Sequence, residues 1–201
     1  MNPGYVSTII IIVMFILMYY KWTDSLLNQL SISPTVTVII LCLLYSLSNV
    51  DIPLPGSIYV NMGSIVLPLF LFSYCLYTYK KKPYMLFICI ITGLIVYFFN
   101  EILHIAPIVV FLSLPVLIAF VVASIGYFSI FDKQIGLISG WMGVVIGESY
   151  FQMSHSSQFT YIKLGGYALL DIFMISMIIF LSYMGLKEIV YSFVKRRESI
   201  G

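Results

Sequence analysis

Seven apolar stretches divide this chain: Tyr5–Tyr20, Pro34–Ser48, Ile58–Tyr79, Tyr84–Phe99, Ile105–Phe131, Ile135–Phe151 and Gly166–Tyr191. Only 9% of the residues are charged and 61% are hydrophobic. A soluble domain carries about a quarter charged residues, so this chain cannot cover a water-facing surface and lipid is the expected partner. Helices are expected throughout. Open strands leave backbone groups unsatisfied in lipid, and barrel strands alternate polar with apolar residues. At about 20 residues per span the 201 residues accommodate six or seven helices, with no stretch left for a second domain. The expected fold is all-α, a polytopic transmembrane bundle in which residues 1–201 form a single integral membrane domain. The second stretch is short for a full span. The fifth is long and carries Pro107 and Pro115, so tilt, a kink or partial re-entry is expected there.

The basic residues test the count. With seven spans, Lys21, Lys80, Lys81, Lys82, Lys133, Lys187, Lys195, Arg196 and Arg197 fall on one side and Lys163 alone on the other. The positive-inside rule puts the nine in the cytoplasm, the N-terminus outside and the C-terminus inside. No cleavable signal peptide is expected, because the first positive charge, Lys21, follows the first apolar run. Cys42, Cys75 and Cys89 fall within apolar stretches without paired spacing and read as small buried hydrophobes. No metal, cofactor or nucleic acid is expected. The basic tail from Lys187 to Arg197 is explained by stop-transfer and can also touch anionic lipid.

Two acids interrupt the apolar stretches. Glu148 lies near the end of the sixth and Asp171 early in the seventh. An ionisable group at membrane depth costs roughly 2.5–3.5 kcal/mol on insertion scales, which makes both candidate site residues. In the seven-span topology Glu148 sits near the outer end of its span. Asp171 lies about 9 Å inward from Gly165 at 1.5 Å per residue. Asn61 opens the third span, Asp51 lies in the loop before it, and Glu101 and His104 lie at the outer turn after the fourth. These groups suggest an outward-facing polar pocket, with Glu148, Asp171 and Asn61 as its intramembrane site and Glu101 and His104 as secondary residues. Glu101 and His104 have the i, i+3 spacing of diiron bundles. The motif occurs once, so interfacial solvation is the expected role.

The sixth stretch carries Gly136, Gly140, Gly143 and Gly147 on one helical face, a small-residue stripe that lets another helix approach. Gly165, Gly166 and Ala168 thin the outer end of the seventh, so the sixth and seventh spans are expected to pack there with the two acids near each other. Pro68 shares a face with Asn61 and Ser64 and is expected to kink the third span. No retinal-type lysine lies in mid-seventh span, and no nucleophile elbow, H-E-x-x-H or phosphate loop occurs.

Three segments carry a resemblance: Asn61-Met-Gly-Ser-Ile-Val-Leu-Pro68, Gly140-Trp-Met-Gly-Val-Val-Ile-Gly-Glu148 and Leu164-Gly-Gly-Tyr-Ala-Leu-Leu-Asp171. In order and spacing they are similar to the N-x-G-G-x-x-x-P, G-x-x-x-G-A-D and G-G-x-x-x-x-D-G motifs of an uncharacterised family of prokaryotic polytopic membrane proteins. The chain also resembles the YphA-like membrane proteins of Bacillus. Ser64 replaces a glycine, Glu148 an aspartate, and Ile172 stands where a glycine is expected. The resemblance implies an all-helical protein of the bacterial plasma membrane, multi-pass, and supplies no substrate.

Three functions fit these residues. The first is transport or binding of a small solute or ion at the outward pocket. For this reading 201 residues is small for a complete transporter, which points to a homodimer or a partner membrane protein. The second is a non-catalytic accessory or assembly protein whose acids bind partner helices. The third, ranked last, is an intramembrane hydrolase using the two acids as a pair.

Overall fold

The apolar stretches fold into an all-α bundle, seen in a computed structural model that describes residues 4–29, 33–105, 113–129, 132–158 and 161–198. Eight α-helices run through the described residues: α1 (Tyr5–Tyr19), a short α2 (Asp24–Gln29), α3 (Pro34–Leu47), α4 (Leu67–Thr78), α5 (Lys82–Ile105), α6 (Leu114–Tyr127), α7 (Lys133–Ser154) and α8 (Tyr167–Glu198). Two of them, over Lys82–Ile105 and Tyr167–Tyr191, are long and apolar enough to cross a membrane by length and composition. Of the fifth stretch, residues 106–112, with Pro107, and 130–131 lie outside the described residues. Pro115 falls in the first turn of α6, where a missing N–H costs nothing.

The third stretch departs from an all-helical reading. It begins as a strand, β2 (Ile58–Asn61), which pairs antiparallel with β1 (Asp51–Leu54) and parallel with β3 (Ile162–Leu164). The cause is local. Pro53 and Pro55 cannot sit inside a helix, Gly56 and Ser57 turn the chain with φ of 85° and 60°, and the β-branched and aromatic run Ile58-Tyr59-Val60 favours a pleat. A π-helical turn, Met62–Val66, then leads into α4. Pro68 therefore occupies the first turn of α4, and the expected kink is replaced by a helix start. The helix of the fourth stretch, α5, is longer than its apolar run, so Glu101 and His104 lie on its last two turns and not in a loop. Cys75 and Cys89 are buried as expected, whereas Cys42 lies on the outward face of α3.

α7 is the central helix. It packs chiefly against α5 and α6, while α8 packs against α6 and α1. The sixth and seventh stretches are therefore not main partners, contrary to expectation. The indole N–H of Trp141 links them by donating to Ser176 Oγ at 2.8 Å, and its ring lies 5.4 Å from Phe173. The glycine stripe of α7 serves two neighbours in place of one. A Cβ on Gly136 would come within 2.6 Å of Ser129 Cβ, beyond the end of α6, and one on Gly140 within 3.0 Å of Val122 of α6. On Gly143 it would meet Thr92 Cβ at 2.6 Å, and on Gly147 it would collide with the Gly93 carbonyl oxygen, both on α5. The helical twist of the stripe turns its two halves toward different helices.

These contacts set the directions of the chain. Cys89 lies against Gly143, and Asn100 meets Glu148, so α5 and α7 run parallel. Gly126 lies against Gly136 and Val122 against Gly140, so α6 runs antiparallel to α7. One end of the bundle holds the starts of α5 and α7 with Lys187 of α8. The opposite end holds the three-stranded sheet, the start of α1, and the polar ends of α5 and α7.

Candidate functional site

Both acids lie at the sheet end of the bundle, yet they serve different elements. On α8, one turn after its start, Asp171 is buried and its carboxylate accepts from the backbone N–H of Gly4 at 3.0 Å and of Ser7 at 2.8 Å. Those amides belong to the first turn of α1 and have no partner within the helix. Asp171 therefore caps a helix distant in sequence, and its charge opposes the positive end of that helix dipole.

Asn61 is likewise used to close the fold. Its Nδ2 donates to the Ser48 carbonyl and to Asp51, each at 2.8 Å, and its Oδ1 accepts from the backbone N–H and the hydroxyl of Ser64. Ser64 Oγ in turn accepts from Gly166 N–H at 2.7 Å. Gly165 adopts a φ of 82°, and a Cβ there would strike Ser64 Oγ, so glycine is required twice over. Asp51 pairs with Lys163 at 2.6 Å across the sheet. Burial raises its pKa, but the Lys163 and Asn61 hydrogen bonds and the Lys163 charge outweigh this and hold the carboxyl below its ordinary range. Tyr167 adds a hydroxyl bond to Asn49.

Glu148 belongs to a different constellation, along the parallel α5–α7 seam. Its carboxylate accepts from Asn100 Nδ2 and from Gln152 Nε2, both at 3.0 Å. Gln152 lies one turn beyond it on the same face, and Asn100 is buried on α5. Further out, Glu101 faces His155 Nε2 at 3.8 Å. The other ring nitrogen, Nδ1, meets the Phe151 carbonyl at 3.1 Å. The rings of His104 and His155 approach to 4.9 Å, and the Tyr97 hydroxyl lies near Glu101. Two carboxylates, two imidazoles, two amides and a phenol thus line one seam, an arrangement able to hold a cation or pass a proton. Among the described residues no three His, Cys, Asp or Glu side chains are grouped to hold a metal ion.

The structure thus sets Glu148 on the same α5–α7 seam as the secondary residues Glu101 and His104, and leaves Asp171 and Asn61 closing separate segments at the sheet end. Among the described residues no hydrogen bond or ion pair joins Glu148 to Asp171. Asn100, Gln152 and His155 were missed from the sequence. Asn100, an amide within an apolar helix, and Gln152, at i+4 from Glu148, carried a usable signal. His155 carried none until α5 and α7 were known to be neighbours.

These features define an all-α protein with two membrane-length helices and buried polar groups at one end of the bundle. The chain matches DUF1614, a family described as a protein of unknown function, over residues 6–181, and it belongs to that family. No curated protein matches it. No solved structure matches it.

Proposed function

We propose that this chain is a single integral membrane domain of the bacterial plasma membrane, multi-pass with about seven spans, N-terminus outside and C-terminus cytoplasmic. It binds or transports a small ion or solute through an outward-facing polar site centred on Glu148. The observation that carries this reading is the Glu148 carboxylate, held at 3.0 Å by both Asn100 and Gln152 beside the Glu101–His155 pair. Such a preset carboxylate with imidazoles further out suits cation binding or proton exchange.

The directions of the helices support the topology. Parallel α5 and α7 with antiparallel α6 are what alternating spans require, and the lysines cluster at one end. The resemblance of the Asn61–Pro68, Gly140–Glu148 and Leu164–Asp171 segments to prokaryotic polytopic proteins and to YphA-like proteins supports a bacterial membrane.

Purified protein in liposomes enclosing a pH-sensitive dye tests the activity under sodium, potassium and proton gradients. Wild-type protein should dissipate at least one gradient, and Glu148→Gln should not. Equal behaviour of the two rejects the reading. A cysteine placed at Lys81 should resist a membrane-impermeant maleimide in intact cells; labelling there rejects the topology.

In a second reading, a non-catalytic accessory or assembly protein acting through a homodimer or a partner membrane protein, Glu148 is the acid that meets the partner, because Asp171 and Asn61 are already engaged within this chain. A hydrolase would need the Glu148 and Asp171 carboxylates to share a proton or a water. Each is instead held by amide donors of its own.

A further inference from the structure

At the end opposite the sheet, an open groove of about 460 Å³ runs between α6 and α8, lined by Tyr127, Tyr183, Leu186, Lys187, Val190 and Tyr191. Lys133, the first residue of α7, places its ammonium 4.4 Å from the centre of the Tyr127 ring. Two cations thus stand at the head of an apolar trough. Among the described residues neither has a carboxylate within ion-pair distance. The neighbouring Asp132 uses its side chain to cap α7, accepting from Gln134 N–H at 2.9 Å. Burial first, and then the Lys187 charge, push the Lys133 ammonium below its ordinary range. An anion between the two would relieve that repulsion.

We propose that Lys133 and Lys187 bind the phosphate of an anionic phospholipid whose acyl chain lies in the groove along Leu186 and Val190. The charge pairs with the phosphodiester, and the apolar lining continuing from it distinguishes a lipid from free phosphate. Lys187 and Leu186 are exposed on the face that the bilayer would cover. The tyrosines are suited to the headgroup boundary, where an apolar ring and a polar tip are both satisfied. The inference rests on the membrane reading above, and adds the class of lipid and the residues that select it.

The test uses the full chain in detergent, titrated with phosphatidylglycerol, phosphatidylcholine or inorganic phosphate while bound lipid is counted by native mass spectrometry. Wild type should prefer phosphatidylglycerol over phosphatidylcholine by on the order of tenfold, since each lysine near an anionic surface contributes measurably to attraction. The double variant Lys133→Gln/Lys187→Gln should lose that preference while keeping its helical circular dichroism. Lys187→Arg, which keeps the charge, should retain it. A preference that survives in the double variant overturns the proposal, as does competition by millimolar phosphate that strips the lipid completely. If alkaline carbonate releases the chain from membranes, the membrane reading fails. If the chain resists carbonate but shows no headgroup preference, only this inference fails.

Discussion

The carboxylate of Asp171 accepts from the backbone N–H of Ser7 at 2.8 Å, joining residues 164 positions apart and seating α1 on α8. A second bond from Gly4 at 3.0 Å uses the other oxygen. A carboxylate offers two acceptors, and both face N–H donors. An amide offers one acceptor and turns its NH₂ toward the other donor. Asp171→Asn should therefore lower stability by roughly 1–2 kcal/mol, in the range of a lost helix cap, and Asp171→Ala by more. Thermal unfolding of the purified variants measures this. An Asn variant as stable as wild type would show that one bond suffices.

The α5–α7 contact gives a sharper test, because it has no slack. A Cβ on Gly147 would fall on the Gly93 carbonyl oxygen, and backbone cannot move aside as a side-chain tip can. Gly147→Ala should separate the helices, with a loss of about 1–3 kcal/mol from overpacking. Gly185→Ala is the control, since nothing lies within 4 Å of its Cβ position and helix propensity favours alanine. The expected result is reduced folded yield and melting temperature for Gly147→Ala alone. Equal yields would mean that the two helices are not closely packed here.

Apolarity and spacing made most of the helices readable: Tyr5–Tyr20 became Tyr5–Tyr19, and Pro34–Ser48 became Pro34–Leu47. The sheet was not readable. Its partner strand β3 lies 101 residues after the end of β2, by subtraction of Asn61 from Ile162, and three residues of Ile-Lys-Leu carry little pattern. At the candidate site, the unusual residues Glu148, Asp171 and Asn61 stood out individually. Their grouping depended on which helices are neighbours, and α7 turned out to lie between α5 and α6. Small-residue spacing shows that a helix is approached closely, not by which partner.

Acid should weaken the sheet end. The folded-state pKa of Asp51 is depressed relative to the unfolded chain, so its contribution is present above the unfolded value of about 3.9. That contribution is lost as pH falls below that value and through the folded one. Unfolding followed between about pH 6 and pH 3 should show an acid decline in wild type that is shallower in Asp51→Asn. Added salt should shrink the difference, because both partners of the Asp51–Lys163 pair are partly exposed. An identical decline in the variant would assign the acid sensitivity to other carboxylates.

Asn100 and Glu148 decide between a binding site and a purely structural seam. Removing Asn100 leaves Glu148 with Gln152 alone, and removing Glu148 leaves Asn100 with the Val96 carbonyl alone, so each single alanine variant should destabilise the fold. Because the two share one hydrogen bond of 3.0 Å, the double variant should lose less than the sum, with a coupling of about 1 kcal/mol. Glu148→Gln separates charge from shape: its amide oxygen still accepts from Asn100, and Gln152 can turn its own amide oxygen to the new NH₂, as the backbone donors of Asp171 cannot, so the fold should persist. On the binding reading this variant melts close to wild type yet no longer responds to cations. On the accessory reading it is silent in both measurements. A Gln variant that fails to fold would mean that the seam requires the charge for stability, and the ion-binding role would then have to be tested at Glu101 by Glu101→Gln.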